Sequence, residues 1–142
     1  MDDRRVSSLQ PTASLPAWIP RGAGLRVITD ISALDADVVC VPRPVGQQLL
    51  AALGLGSGAV IEDNHRSWPT MTWLVPPGTA AERQLPPWDG ARPDGQLYVP
   101  GLQQRSQRLF WRLHPEDRPL LTDPAALRDL MPRGPGGSSH GA

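Results

Sequence analysis

Proline sets the limits on what this chain can fold into. Seventeen of its 142 residues are proline, and each fixes φ and removes a backbone donor. Long helices are therefore not expected; short strands with few helices are. Within that limit the best-defined stretch is Ser57 to Gly78, SGAVIEDNHRSWPTMTWLVPPG. Two apolar runs, Ala59-Val60-Ile61 and Met71-Thr72-Trp73-Leu74-Val75, flank a polar patch with two acids, a histidine, an arginine and a proline. This pattern predicts a β-hairpin whose connection is longer than a two-residue turn.

The other elements follow from the same signals. Gly24 to Asp30 alternates loosely and suits a first strand. Asp37-Val-Val-Cys-Val-Pro42 is a continuous apolar run stopped by proline, the pattern of a buried strand. Val45, Leu49, Leu50 and Leu53 recur at helical spacing behind Pro44, with Gly54 and Gly56 as the stop. Thr79 to Arg83 suits one helical turn, and Leu85 to Gly95 reads as a loop with Trp88 as its anchor. Gln96 to Val99 and Arg108 to Leu113 read as strands on either side of a polar excursion. Thr122-Asp-Pro-Ala-Ala-Leu-Arg-Asp-Leu-Met131 carries a helix start: Thr122 or Asp123 as cap, and Pro124 where a missing donor costs nothing.

Length allows one domain with a single core. The expected organisation is a flexible arm at 1–14, one domain over 15–131 and a disordered tail at 132–142. Acidic and basic residues balance at 14 each, and every base is arginine. No net field then draws the protein to nucleic acid or to an anionic membrane. A lone cysteine, Cys40, excludes an internal disulfide and a cysteine-rich zinc site. No run reaches the roughly 18 apolar residues of a membrane span, and MDDRRVSSLQ lacks a secretory pattern. The expected compartment is the cytoplasm.

Two groups of residues bear on function. Glu62, Asp63 and His65, with Arg66 and Trp68 beside them, occupy the hairpin connection. Three neighbours on one strand seldom converge on a metal, because consecutive strand residues point to opposite faces. A solvated connection with Asx-type turn bonding is the ordinary reading. In the second group, Arg105, Arg108 and Arg112 surround Phe110 and Trp111, with Tyr98 on a neighbouring strand. Arginines beside aromatics can pair phosphates and stack bases. Strand alternation puts Arg108, Phe110 and Arg112 on one face and Leu109, Trp111 and Leu113 on the other. The ordinary reading is then a core face and a solvated arginine face. Cys40 with His65 or His114 as base would make a thiol nucleophile, but Cys40 sits in an apolar run where cysteine behaves as a small hydrophobe. Gly54-Leu-Gly-Ser-Gly58 lacks the Lys-Ser/Thr of a phosphate loop and leads into a strand.

The order ADVVCVP, VGQQLLAALG, SGAVIEDNHRSWPTMTWLVPPGTA, QLYVPGLQQRSQRLFWRL, LLTDPAALRDL, over Asp37 to Met131, resembles small actinobacterial proteins described as bifunctional primase-polymerase-like. These are similar to the primase-polymerase domain of the archaeo-eukaryotic primase superfamily, in degenerate form. The resemblance implies an Asp-x-Asp metal pair on the strand Val38 to Pro42, where Cys40 and Pro42 stand, and a phosphate-contacting histidine where Met71 stands. Without those carboxylates two-metal phosphoryl transfer cannot run, so no catalytic residue and no metal ligand carries over.

The expected fold is α+β: a small, mostly antiparallel sheet of Asp37–Val41, Ala59–Glu62, Met71–Val75, Gln96–Val99 and Leu109–Leu113, with helices Val45–Leu53 and Asp123–Met131 on one face. The leading functional expectation is a non-catalytic binding or regulatory protein without cofactor. It would meet a protein or small-molecule partner through Glu62, Asp63, His65, Arg66 and Trp68 together with the arginine strand. One alternative is nucleotide or single-stranded nucleic-acid binding through Tyr98, Arg105, Arg108 and Arg112. Another is a small enzyme of secondary metabolism with Glu62, Asp63 and His65 as its acid–base group.

Overall fold

The structure, a computed structural model, describes residues 15–29, 34–64, 69–78 and 97–130. The expected arm (1–14), the turn at 79–83, the loop around Trp88 and the tail (132–142) lie outside the described residues. The elements are β1 (Leu25–Ile28), β2 (Asp37–Pro42), α1 (Arg43–Leu53) with a 3-10 turn (Gly54–Gly56), β3 (Val60–Asp63), β4 (Thr70–Val75), β5 (Leu97–Pro100), β6 (Leu109–Leu113) and α2 (Pro124–Leu130).

Proline shapes most of these boundaries. Pro42 and Pro100 close β2 and β5, where a ladder donor is no longer needed. Pro44 and Pro124 lie in the first turns of the helices. Gly54, at φ +53°, ends α1, and its N–H donates to the Leu50 carbonyl. At α2 the two candidate caps divide their work. Asp123 Oδ1 accepts from Ala125 N at 3.0 Å, whereas Thr122 Oγ1 turns away and accepts from Gly58 N at 2.8 Å.

The fold is α+β, as the patterns predict, with strands in two antiparallel sheets. The larger has the order β2-β4-β3-β6, and β1 pairs with β5 in a separate ribbon. The hairpin stands as expected: β3 and β4 pair from Val60↔Trp73 to Asp63↔Thr70. The placement of Gln96–Val99 in the central sheet is corrected. Leu97 and Val99 point into the core shared with that sheet, so β5 packs on its face and pairs with β1 instead.

The larger sheet is covered on both sides. Toward the helices, Val39, Val41, Val60, Met71, Trp73 and Val75 pack with Leu49 of α1 and Leu127 of α2. On the other face Val38, Ile61, Leu74, Leu109 and Trp111 meet Ile28, Leu97 and Val99 of the ribbon and Leu15 and Ile19. Central β4 is buried along its whole length, because both of its faces have a layer above them. Among the described residues no helix is long and apolar enough to cross a membrane.

One irregularity changes the expected alternation. Ile61 stands opposite Trp111, but Val60 stands opposite Leu113, so Arg112 is an extra residue in β6. Such a bulge re-aims side chains. Leu109 and Trp111 face the ribbon as expected, while Leu113 is carried to the helix-side cluster.

Candidate functional site

Strand directions bring distant parts of the sequence to one end of the larger sheet. β2 and β3 are both antiparallel to β4, which lies between them, so they run parallel to each other. The end of β2 with the start of α1 and the end of β3 therefore share one edge of the molecule. β6, antiparallel to β3, begins there too, after the 101–108 segment. The result is an open cleft of about 570 Å³ with Glu62 and Asn64 on one side, Arg43 at the helix start, and Gln104 to Gln107 with Phe110 to Arg112 along the other side.

Glu62 is the unusual residue. It pairs across the sheet with Met71 on one side and Phe110 on the other, which directs it to the helix face. Its side chain is only 7% exposed, yet three groups hold it loosely. Asn64 Nδ2 donates to Oε2 at 2.9 Å, while Arg43 Nη1 stands 4.0 Å from Oε2 and Arg112 Nη1 3.8 Å from Oε1. Neither guanidinium is at hydrogen-bonding distance. Glu62 Oε1 is buried and, among the described residues, has no hydrogen-bond partner.

Asn64 organises the neighbours. Its backbone N–H donates to the Arg108 carbonyl at 2.6 Å, and its Nδ2 also donates to the Gln107 carbonyl at 3.2 Å. Its Oδ1 accepts from Arg43 Nη1 at 3.0 Å, which brings that guanidinium to the cleft. Arg43 N, at the helix start, donates to the Pro69 carbonyl at 2.9 Å and ties α1 to the hairpin. Three guanidinium groups, on Arg43, Arg105 and Arg112, then share the lining with one carboxylate. The local charge is positive although the chain is neutral.

The expected site residues divide accordingly. Glu62, Arg105 and Arg112 come together in the cleft. His65, Arg66 and Trp68 lie outside the described residues. Asp63 is buried and pairs with Thr70 and Leu109, so it belongs to the ribbon face, opposite Glu62. The expectation of a solvated connection is thus corrected for both acids: the strand pairing extends past the apolar run and buries them. The same alternation sets Glu62 and Asp63 on opposite faces of the sheet. Tyr98 is half-buried on β5, in the other sheet, and packs against the core. Arg108 is exposed and serves the site through its carbonyl, with its N–H held by Ser106 Oγ at 3.0 Å.

Cys40 is a buried thiol outside any disulfide. His114 is engaged elsewhere: Nδ1 accepts from Glu116 N at 3.1 Å, which leaves Nε2 to donate to the Leu102 carbonyl at 2.8 Å. Among the described residues no three His, Cys, Asp or Glu side chains are grouped to hold a metal. Arg43, Asn64 and Gln104 were outside the sequence expectation. Their only signal was position, since Arg43 follows a strand and opens a helix, and Asn64 follows a strand bearing acids. Comparison with protein-family models, curated proteins and solved structures finds no match to this chain.

Proposed function

We propose that this is a non-catalytic binding protein, on a core that resembles a degenerate primase-polymerase domain, and that its cleft takes a small anionic molecule. The observation that carries the reading is the convergence of Arg43, Arg105 and Arg112 around the buried Glu62 in one open cleft. Guanidinium groups are suited to carboxylate and phosphate because they offer several donors in a plane. Asn64 Oδ1 holds Arg43 in place, while the half-buried Phe110 adds an aromatic surface. The cleft also has the volume of a small-molecule site.

The absence of catalysis rests on the positions that the resemblance singles out. Cys40 is buried, Pro42 ends β2, and Met71 is fully buried beneath Gly46. None of the three supplies a carboxylate or an imidazole. A continuous nucleic-acid surface is less well supported, because Tyr98 and Arg108 are not part of the cleft lining.

Calorimetric titration of the full chain at low salt with pyrophosphate, citrate and benzoate tests the proposal. At least one should bind saturably, and the Arg105→Gln/Arg112→Gln double variant should weaken it about tenfold or more, near 1.4 kcal/mol. Failure of all three and of orotate to bind, or full affinity in the double variant, would refute it. Salt-dependent binding to a single-stranded oligonucleotide in their place would favour the nucleic-acid alternative.

A further inference from the structure

Glu62 presents a problem that an anion alone does not solve. A cleft built only for an anion has no use for a buried carboxylate with an unmet acceptor, which repels the ligand. Glu62 nevertheless lines the cleft with its side chain more than nine-tenths buried, and among the described residues Oε1 has no hydrogen-bond donor. Arg112 stays 3.8 Å away with its side chain 47% exposed. Oε1 itself is buried, so a ligand reaches it only where the exposed Arg112 side chain turns aside.

We infer that the ligand is an anion that also carries a neutral N–H donor, a carboxamide or a ring lactam, with the N–H on Glu62 Oε1 and the anionic group on Arg105 and Arg112. This rests on the anion-binding reading above and specifies its ligand. An unmet buried acceptor is completed by a donor. A neutral donor suits the position better than an ammonium group, which would be placed beside two guanidinium groups. Phe110, directly opposite Glu62 in the sheet, lies where a planar ring bearing that N–H would rest.

The hydrogen bonds around Asn64 make the test sharp. Asn64 Nδ2 donates to Glu62 Oε2, and Asn64 Oδ1 is committed to Arg43. In a Glu62→Gln variant the side-chain oxygen must therefore take the place of Oε2, and the new NH2 group takes the place of Oε1. The acceptor becomes a donor at the one atom that matters, with almost no change in shape.

Orotate, a planar ring carboxylate with two ring N–H groups, and 1,3-dimethylorotate, its N-methylated form, are titrated into wild type and Glu62→Gln. The wild type is expected to prefer orotate by about tenfold or more, and the preference should fall below about threefold in the variant. Equal affinity of wild type for the two compounds would overturn the inference and leave the anion reading intact. A preference that persists in Glu62→Gln would also overturn it, since it would report only the bulk of the methyl groups. Failure of both compounds to bind while pyrophosphate, citrate or benzoate binds overturns the inference alone; failure of all five removes both readings. Should Glu62→Gln fail to fold, Asn64→Asp in its place turns a donor to Glu62 Oε2 into an acceptor. It should lower orotate affinity while leaving 1,3-dimethylorotate less affected, and an equal loss for both would overturn the inference.

Discussion

Replacing Glu62 by methionine separates a residue held for a ligand from one held for the fold. The substitution removes a buried acceptor without a partner, which costs about 1–3 kcal/mol while it is present. Against that gain stands the loss of the Asn64–Oε2 hydrogen bond, a charged one worth about 1.5–3 kcal/mol. Asn64 Nδ2 keeps the Gln107 carbonyl, so no donor is stranded. The two ion pairs add little. Their distances are 3.8 and 4.0 Å and their arginines are 47% and 39% exposed, so each is worth about 0–1 kcal/mol after screening, and water rehydrates the released guanidinium groups. The contributions nearly cancel, and Glu62→Met should unfold within about 1 kcal/mol of wild type, a shift of about 4 °C in Tm. Breaking a buried structural ion pair would instead cost about 3–5 kcal/mol. Urea denaturation followed by tryptophan fluorescence measures the difference, with an unchanged slope confirming that the same surface is exposed. A loss above about 3 kcal/mol at constant slope would mean that Glu62 supports the fold, and the argument from its unmet oxygen would fail.

Two further substitutions test the packing that positions the cleft. A Cβ at Gly46 would approach Met71 Cβ and Sδ to 2.7 Å, and Met71 is fully buried. Overpacking of about 1–3 kcal/mol should outweigh the gain of up to about 1 kcal/mol in helix propensity, so Gly46→Ala should lower Tm in calorimetry. Thr122→Val leaves the buried Gly58 N–H without its acceptor and should cost about 1–3 kcal/mol in urea denaturation. Thr122→Ser keeps that oxygen and should lose only about 1 kcal/mol, for the missing methyl group.

Much of the fold was legible in the chain because its signals are local. Proline and glycine mark boundaries by their own backbone restrictions, whatever surrounds them, and so β2, α1, the β3–β4 hairpin and α2 lie within a residue or two of their expected limits. Periodicity likewise told which residues of β6 face the core, up to the bulge at Arg112. That bulge has no sequence mark: Arg112 becomes extra only because β3 pairs with β6 through Ile61 opposite Trp111 and Val60 opposite Leu113. The partner of β5 was equally invisible, since Leu97 and Val99 can serve an edge or a face.

The sequence by itself determined that this is a short-stranded α+β chain with arginine as its only basic side chain, and it named Glu62, Arg105 and Arg112 as residues to follow. Only the tertiary structure decided that these three meet, that Asp63 turns away from them, and that Arg43 and Asn64 complete the group. The reason is geometric. Periodicity assigns a side chain to a face of its own strand, but which strands become neighbours is settled by long-range pairing, and the cleft exists only at the end of the sheet where β2 and β3 finish and β6 begins.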